Sequence, residues 1–292
     1  MDGYHLPTSI IFSAFVAGTQ EGMLLEKAFK NGDTLREGYH VDIEDELDLV
    51  DKVKSELLAT KSGTSEQLEK LVMKELGLKR ACHFGWPNVY TFTKAMGEIL
   101  LGQRRENVPV VIIRPTMVTS TYQDPFPGWI EGARTIDALI VAYDEQAFPC
   151  FLGDRRNIID VIPADIVINA AMVAIAFRNE EVQVIYHVGS SLQNPLSLYS
   201  FEDACWDYFS INPRILENGK ALPNRRPYLF KNVSFFRLCL LLVYKIPLEM
   251  LHIMSLLLCG LFSTHYNKLN RRFNFFMLLV KLYAPYAFFN GR

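Results

Sequence analysis

The sequence predicts an α/β fold: a parallel sheet with helices packed on it, followed by a mainly helical C-terminal region. Three observations predict it. Two apolar, β-prone runs, 8–17 (TSIIFSAFVA) and 108–113 (VPVVII), flank a helix-patterned stretch at 90–103. That order of strand, helix and strand suits parallel strands joined by a crossover helix. A third β-prone run at 182–188 (VQVIYHV) follows another helix-patterned stretch, and beyond Asn212 long apolar segments replace the alternation.

Composition narrows the class. The chain has 292 residues, 50% of them hydrophobic and 21% charged, enough for about two domains with a real core. A formal charge of −2 offers no basic platform and argues against a nucleic-acid partner. Cys82, Cys150, Cys205, Cys239 and Cys259 are scattered and form no CxxC or Cys/His cluster. Free thiols in a reducing compartment, and no metal site, are the expectation. Residues 1–7 are polar and contain no signal-peptide core.

Taken in order, 8–17 reads as a buried strand ended by Gly18, with small Ser13 and Ala14 near its end. Ser13 is either a hydroxyl bonded to backbone or a site residue at a strand end. Residues 18–39 read as loop. A charged helix at 42–60 places Leu47, Val50, Val53, Leu57 and Leu58 on one side, and Lys61-Ser62-Gly63 breaks it. Thr64, with Gln67 in the capping-box position, starts a second helix for which Gly77 is the expected stop. The pair forms a helical hairpin with a solvated face.

The 90–103 helix has no proline and carries Phe92, Met96, Ile99 and Leu100 at helical spacing, after a Pro87-Asn88 turn. Strand 108–113 runs into Arg114-Pro115-Thr116. Residues 122–132 (YQDPFPGWIEG) combine turn formers and aromatics, which suits a loop lining a cleft or an ordinary surface loop. A short helix at 135–142 and a short strand at 148–153 follow. Residues 157–162 lead to Pro163 as first helical residue, with Asp165 complementing the dipole of a helix that reaches Phe177. After strand 182–188, a helix spans 200–209. Residues 214–228 are a polar linker containing proline. Residues 235–262 are apolar but interrupted by Lys245, Pro247, Glu249 and His252, with a longest charge-free run below the ~20 residues of a membrane span. A pair of core helices is the reading preferred to insertion, with His252 packed or snorkelling. Residues 265–290 set Lys268, Arg271 and Arg272 beside aromatics, which suits a docking helix or a membrane surface.

One constellation carries chemistry. Tyr90 and Lys94 are four residues apart, on one face of their helix, and are the one such Tyr–Lys pair in the sequence. A phenol beside a fixed ammonium is a general acid of lowered pKa, the proton donor that a carbonyl needs on accepting hydride. The plain alternative is a tyrosine half-buried on a surface helix. Ligands of parallel sheets gather at the carboxyl ends of strands, where Ser13 and the loop after Arg114 both fall.

The chain resembles the plant-type alcohol-forming fatty acyl-CoA reductases, a branch of the extended short-chain dehydrogenase/reductases. The resemblance rests on Gly85-Trp86-Pro87-Asn88 followed by 90–98 (YTFTKAMGE). It is reinforced by 111–116 (VIIRPT), 125–132 (PFPGWIEG) and 160–165 (DVIPAD), and it covers nearly all of the chain. It implies an incomplete Rossmann-type parallel sheet with helices on both faces, over residues 1–212, and a partial helical domain over 213–292. It also implies reduction of a long-chain fatty acyl-CoA by NADPH to an aldehyde and then to a primary alcohol, in wax, suberin or related lipid metabolism. By motif match Tyr90 donates the proton, and Lys94 lowers its pKa and binds the nicotinamide ribose. Ser13 orients the substrate carbonyl, although the family often has Thr-Ala-Tyr there. Pro115 and Thr116 lie along the nicotinamide.

The sequence departs from the family in having no glycine-rich GxxGxxG turn, the element that admits a pyrophosphate at a helix N-terminus. The expectation is therefore a chain truncated at both ends, holding the active-site half without the adenine-pyrophosphate half. A second reading is a catalytically inert lipid- or partner-binding remnant that associates with intact relatives. A third, a sugar-nucleotide reductase or epimerase, is opposed by the apolar C-terminal region, since a fatty chain needs an apolar groove. Peripheral membrane contact through 235–290, at the cytoplasmic face of the endoplasmic reticulum, completes the expectations.

Overall fold

The computed structural model describes residues 8–59, 66–147, 149–177, 183–258, 260–284 and 288. In chain order it runs β1 (Thr8–Ile11), α1 (Ile43–Ala59), α2 (Glu66–His83), α3 (Val89–Arg104), β2 (Val110–Pro115), β3 (Met117–Thr119) and α4 (Thr135–Asp144). Then come β4 (Cys150–Leu152), β5 (Ile158–Ile159), β6 (Val161–Pro163), α5 (Ala164–Ala176), β7 (Gln183–Val188), β8 (Leu196–Ser197) and α6 (Leu198–Ile211). The C-terminal part holds β9 (Tyr228–Phe230), α7 (Val233–Cys239), α8 (Ile246–Leu257) and α9 (Ser263–Tyr283). Two compact units emerge, one from residues 8–129 with 162–189, the other from the described part of 130–161 with 190–290.

The first unit is built on a parallel sheet in the order β1-β2-β7, with Ile11 opposite Ile113 and Val188 opposite Pro115. Strand side chains alternate between faces, and β2 uses both. Val110 and Ile112 pack with Ile185, Phe12 and Leu101 of α3. Val111 and Ile113 pack with Val167 and Ala171 of α5. Helices cover both faces of the sheet, as the α/β reading requires.

Several elements depart from the sequence reading. The β-prone run 8–17 stops at Ile11, and Ala14–Ala17 forms a 3₁₀ turn capped by Ser13. Gly77 does not stop α2, which continues to His83. A Cβ there would stand 3.1 Å from Val89, so the glycine lets the start of α3 approach α2. The turn falls instead at Gly85, whose φ is +95° and whose added Cβ would meet the Arg36 backbone nitrogen at 2.9 Å. Thr64, the expected cap of α2, lies outside the described residues, as do Phe148, Val182 and Cys259. Pro163 caps α5 rather than opening it.

In the second unit, β4 pairs in parallel with β9, and β5 pairs antiparallel with β8. Phe236 and Leu240 pack with Cys150, Leu152 and Phe276. The expected pair of helices over 235–262 is instead one continuous helical run. A π turn at Leu240–Lys245 joins α7 to α8, giving a helix of 25 residues, Val233–Leu257, long and apolar enough to cross a membrane. Pro247 breaks nothing because the wider turn before it absorbs the missing donor. Lys245 breaks nothing because it pairs with Glu249 at 2.6 Å on the surface. His252 stacks on Tyr266 of α9, ring centroids 4.4 Å apart.

Candidate active site

The Gly85-Trp86-Pro87-Asn88 segment sets the position of α3. Asn88 caps the helix, its side-chain oxygen accepting from Thr91 N at 2.9 Å. Trp86 is fully buried against Phe92, and its indole N–H donates to the Val16 carbonyl at 2.9 Å. That bond ties the entrance of α3 to the turn that Ser13 caps. Four residues beyond Lys94, Glu98 forms a buried two-pronged ion pair with Arg114 of β2, one prong measuring 3.0 Å. The Arg114 guanidinium also donates to the Lys27 carbonyl at 2.9 Å and meets His187 Nε2 at 3.1 Å. Helix α3 is thus tied at its entrance to the Ser13 turn and near its middle to β2.

Tyr90 and Lys94 come together on α3 as their spacing predicts. Tyr90 is 56% exposed. The Lys94 ammonium lies 5.9 Å from the centroid of the Tyr90 ring and 5.7 Å from that of Phe12, within reach of both π faces. Among the described residues Lys94 makes no ion pair, so its charge is left to whatever binds there. Phe12 continues β1, its N–H donating to the Ile113 carbonyl at 2.8 Å.

Ser13 and Pro115 each stand two residues beyond the registered pair Ile11 and Ile113. They therefore occupy matching positions at the carboxyl edge of neighbouring strands, and Ser13 is buried. Its Oγ accepts from Phe15 N at 3.3 Å, which leaves the hydroxyl proton to donate elsewhere. No hydrogen bond joins Ser13 to Tyr90 among the described residues. Thr116 N donates to the Val188 carbonyl at 3.0 Å, carrying the edge across to β7.

The loop after β3 leaves from that same edge. Asp165, at the start of α5, accepts from the backbone N–H groups of Tyr122 at 2.9 Å, Gln123 at 2.8 Å and Asp124 at 3.1 Å. These donors, Tyr122 foremost, hold its carboxyl at about 2. The loop and the first turns of α5 border a cleft of roughly 360 Å³ lined by Thr121, Pro125, Trp129, Asp165 and Ile168. Of residues 122–132, Asp124, Pro125 and Trp129 line this cleft.

Burial pushes the Cys150 thiol up to about 12 and Cys205 to about 11, and both lie in the second unit. Sequence reasoning missed Phe12 and the Glu98–Arg114 pair as positioning groups. A charged pair sixteen residues apart gives no local sign that it is buried, and Phe12 carried no signal at all.

A family model described as "Male sterility protein" matches residues 5–171. Fatty acyl-CoA reductase 1 of Arabidopsis thaliana is 42% identical over 96% of this chain and 57% of its own length. The alcohol-forming fatty acyl-CoA reductase of Simmondsia chinensis is 42% identical over the same shares. The chain spans little more than half of the length of these relatives. Among solved structures, a UDP-glucuronic acid 4-epimerase from Bacillus cereus aligns with 78% of this chain and 53% of its own, at 14% identity and a TM-score of 0.39. A likeness that slight carries no argument.

Proposed function

The chain belongs to the male sterility protein family, and from that premise we propose that it carries the proton-donating half of a reductase. That reductase converts long-chain fatty acyl-CoA, through the aldehyde, to a primary alcohol with NADPH. The observation that carries this reading is the Lys94 ammonium, free of carboxylates and set between Tyr90 and Phe12 at the carboxyl edge of β1 and β2. The named activities of the relatives support the substrate class.

The residues at this edge fit a nicotinamide nucleotide, because an unpaired ammonium suits ribose hydroxyls and a strand end suits the ring. When bound, that group supplies the hydride. Lys94 holds the ribose and stabilises the negative charge that Tyr90 acquires on giving up its proton. In the first reduction the thioester carbon gains hydride, its C–S bond breaks and the CoA sulfur leaves, taking a proton from solvent, which gives the aldehyde. In the second, the Tyr90 proton ends on the alcohol oxygen. Ser13 offers its hydroxyl proton to the substrate carbonyl, which stabilises the developing oxyanion. Pro115 and Thr116, at the same strand edge, would border the nicotinamide and would exchange no proton.

The test is a titration of the chain with NADPH, followed by tryptophan quenching, then product analysis with a long-chain acyl-CoA. Saturable but weak quenching, lost in Lys94→Ala, is expected, because the sequence has no glycine-rich turn to admit the pyrophosphate. Tyr90→Phe should bind NADPH normally yet form alcohol at least ~100-fold more slowly, the usual contribution of a general acid. Absent saturation, or alcohol formation indifferent to Tyr90→Phe, would remove the reading.

A further inference from the structure

Two buried polar atoms of the second unit have no partner, and both belong to the wall of one cavity. Helix α4 carries Tyr143, 8% exposed, and α6 carries Glu202, 4% exposed. The Glu202 carboxylate meets Arg155 at 3.2 Å and Arg226 at 3.7 Å, both through Oε1. Its Oε2 and the Tyr143 hydroxyl make no hydrogen bond among the described residues. Both side chains line a cavity of roughly 60 Å³, whose other walls include Leu139, Phe151, Phe201 and Leu229. Every residue of that lining belongs to the second unit, whereas Tyr90 and Lys94 belong to the first.

Native interiors seldom leave such groups unmatched, and the pair defines what matches them. Tyr143 is a donor. Burial foremost, with Cys205 and Glu202 nearby, pushes its phenol up to about 12, so the proton stays on the oxygen. Glu202 Oε2 only accepts. One hydroxyl group satisfies both, accepting from Tyr143 and donating to Glu202. A ligand carboxylate brings no proton to Oε2 and meets its charge. A ligand ammonium faces two guanidiniums that already hold Glu202, and it leaves the Tyr143 proton unmatched. Water suits the polar end, but the cavity has room for more than one, and its apolar walls give the others nothing to bond. Gln146, also on the lining, is already engaged. Its Oε1 accepts from Arg225 N at 3.0 Å, and its Nε2 donates to the Tyr143 carbonyl at 3.0 Å.

We propose that this cavity binds a straight-chain aliphatic alcohol, its hydroxyl between Tyr143 and Glu202 and its chain against Leu139, Phe151, Phe201 and Leu229. Size selects a slender ligand, since a cavity that holds benzene measures about 150 Å³. Exposed Arg225 lines the same cavity and makes no ion pair among the described residues. It favours the rival occupant, a fatty carboxylate, which the test includes.

Saturation-transfer NMR on the whole chain, titrated with 1-hexanol and with its isomer methyl pentyl ether, tests this. The alcohol should bind saturably and at least ~10-fold tighter than the ether, which accepts from Tyr143 but leaves the Glu202 charge without a donor. From 1-butanol to 1-hexanol, affinity should rise about fourfold per added methylene. Tyr143→Phe, which keeps the ring, should weaken 1-hexanol about fivefold, circular dichroism confirming the fold. Glu202→Gln should narrow the preference for alcohol over ether. No saturable binding, an ether bound as tightly as the alcohol, or a Tyr143→Phe variant that binds 1-hexanol like the native chain would each overturn the inference. So would a preference unchanged in Glu202→Gln. Hexanoate bound more tightly than 1-hexanol would also overturn it, and would assign the cavity to a carboxylate held by Arg225. Neither NADPH nor acyl-CoA enters these titrations, so this inference and the proposed reaction can fail separately.

Discussion

Arg114 grips Glu98 with two prongs in a site that water does not reach, their side chains 3% and 0% exposed. The pair sets the orientation of α3 on β2, and with it the direction in which Tyr90 and Lys94 face. Removing one partner of such a pair strands the other charge in low dielectric. Glu98→Gln or Arg114→Met should each lower stability by about 3–5 kcal/mol, measured by urea unfolding. Replacing both by Leu and Met should recover part of that loss. A single variant costing below about 1 kcal/mol, the range of exposed pairs, would show that the pair does not hold the helix.

Much of the sheet and of α3 was legible because the signals are local. Branched residues run together in β2 and recur in β7, and α3 has its Asn88 cap and an uninterrupted apolar spacing. Where the sequence misled, a distant contact decided. The SAFVA segment is β-prone, yet Val16 receives its hydrogen bond from Trp86, seventy residues on, and the chain turns there. Gly77 looked like a cap because its close neighbour, Val89, lies on the next helix. The Tyr90–Lys94 pair was legible by spacing, whereas its neighbour Phe12 became apparent only once β1 lay beside α3.

Trp86 predicts how the Ser13 turn depends on α3. Trp86→Phe keeps a ring against Phe92 but leaves the buried Val16 carbonyl without its indole donor. An orphaned buried acceptor costs about 1–3 kcal/mol. Thermal unfolding should register that loss, and amide exchange should rise at Phe15 and Val16 before it rises in β2. Uniform exchange across the first unit would mean that the bond is not what holds the turn.

Gly85 gives a sharper local test. An alanine there would take φ near +95° and set its Cβ 2.9 Å from the Arg36 backbone nitrogen, a neighbour that cannot rotate aside. Gly85→Ala should destabilise the chain by at least ~1 kcal/mol, from the strained backbone alone. Gly128, also at positive φ but with nothing within 4 Å of an added Cβ, is the control, and Gly128→Ala should cost less. Equal losses would assign the whole effect to φ and none to crowding.

Asp165 makes the cleft loop responsive to acid. Its carboxyl, held at about 2 against an ordinary 3.8 by the N–H groups of Tyr122, Gln123 and Asp124, binds the loop only while ionised. A depressed folded-state pKa means stabilisation that is complete above 3.8 and lost as pH falls through about 2. Protection of the Tyr122, Gln123 and Asp124 amides, relative to the exchange of a free amide at the same pH, should hold from neutral pH down to about 4 and fall toward pH 2. Asp165→Ala should remove this protection at every pH, and Asp165→Asn, which keeps one acceptor oxygen, should retain part of it without the acid step. Because Trp129 lines the same cleft, its fluorescence should shift in Asp165→Ala at neutral pH. Unchanged protection in that variant would mean that the loop is held by Thr121, through its bonds to Phe126 and Trp129, and not by the carboxylate.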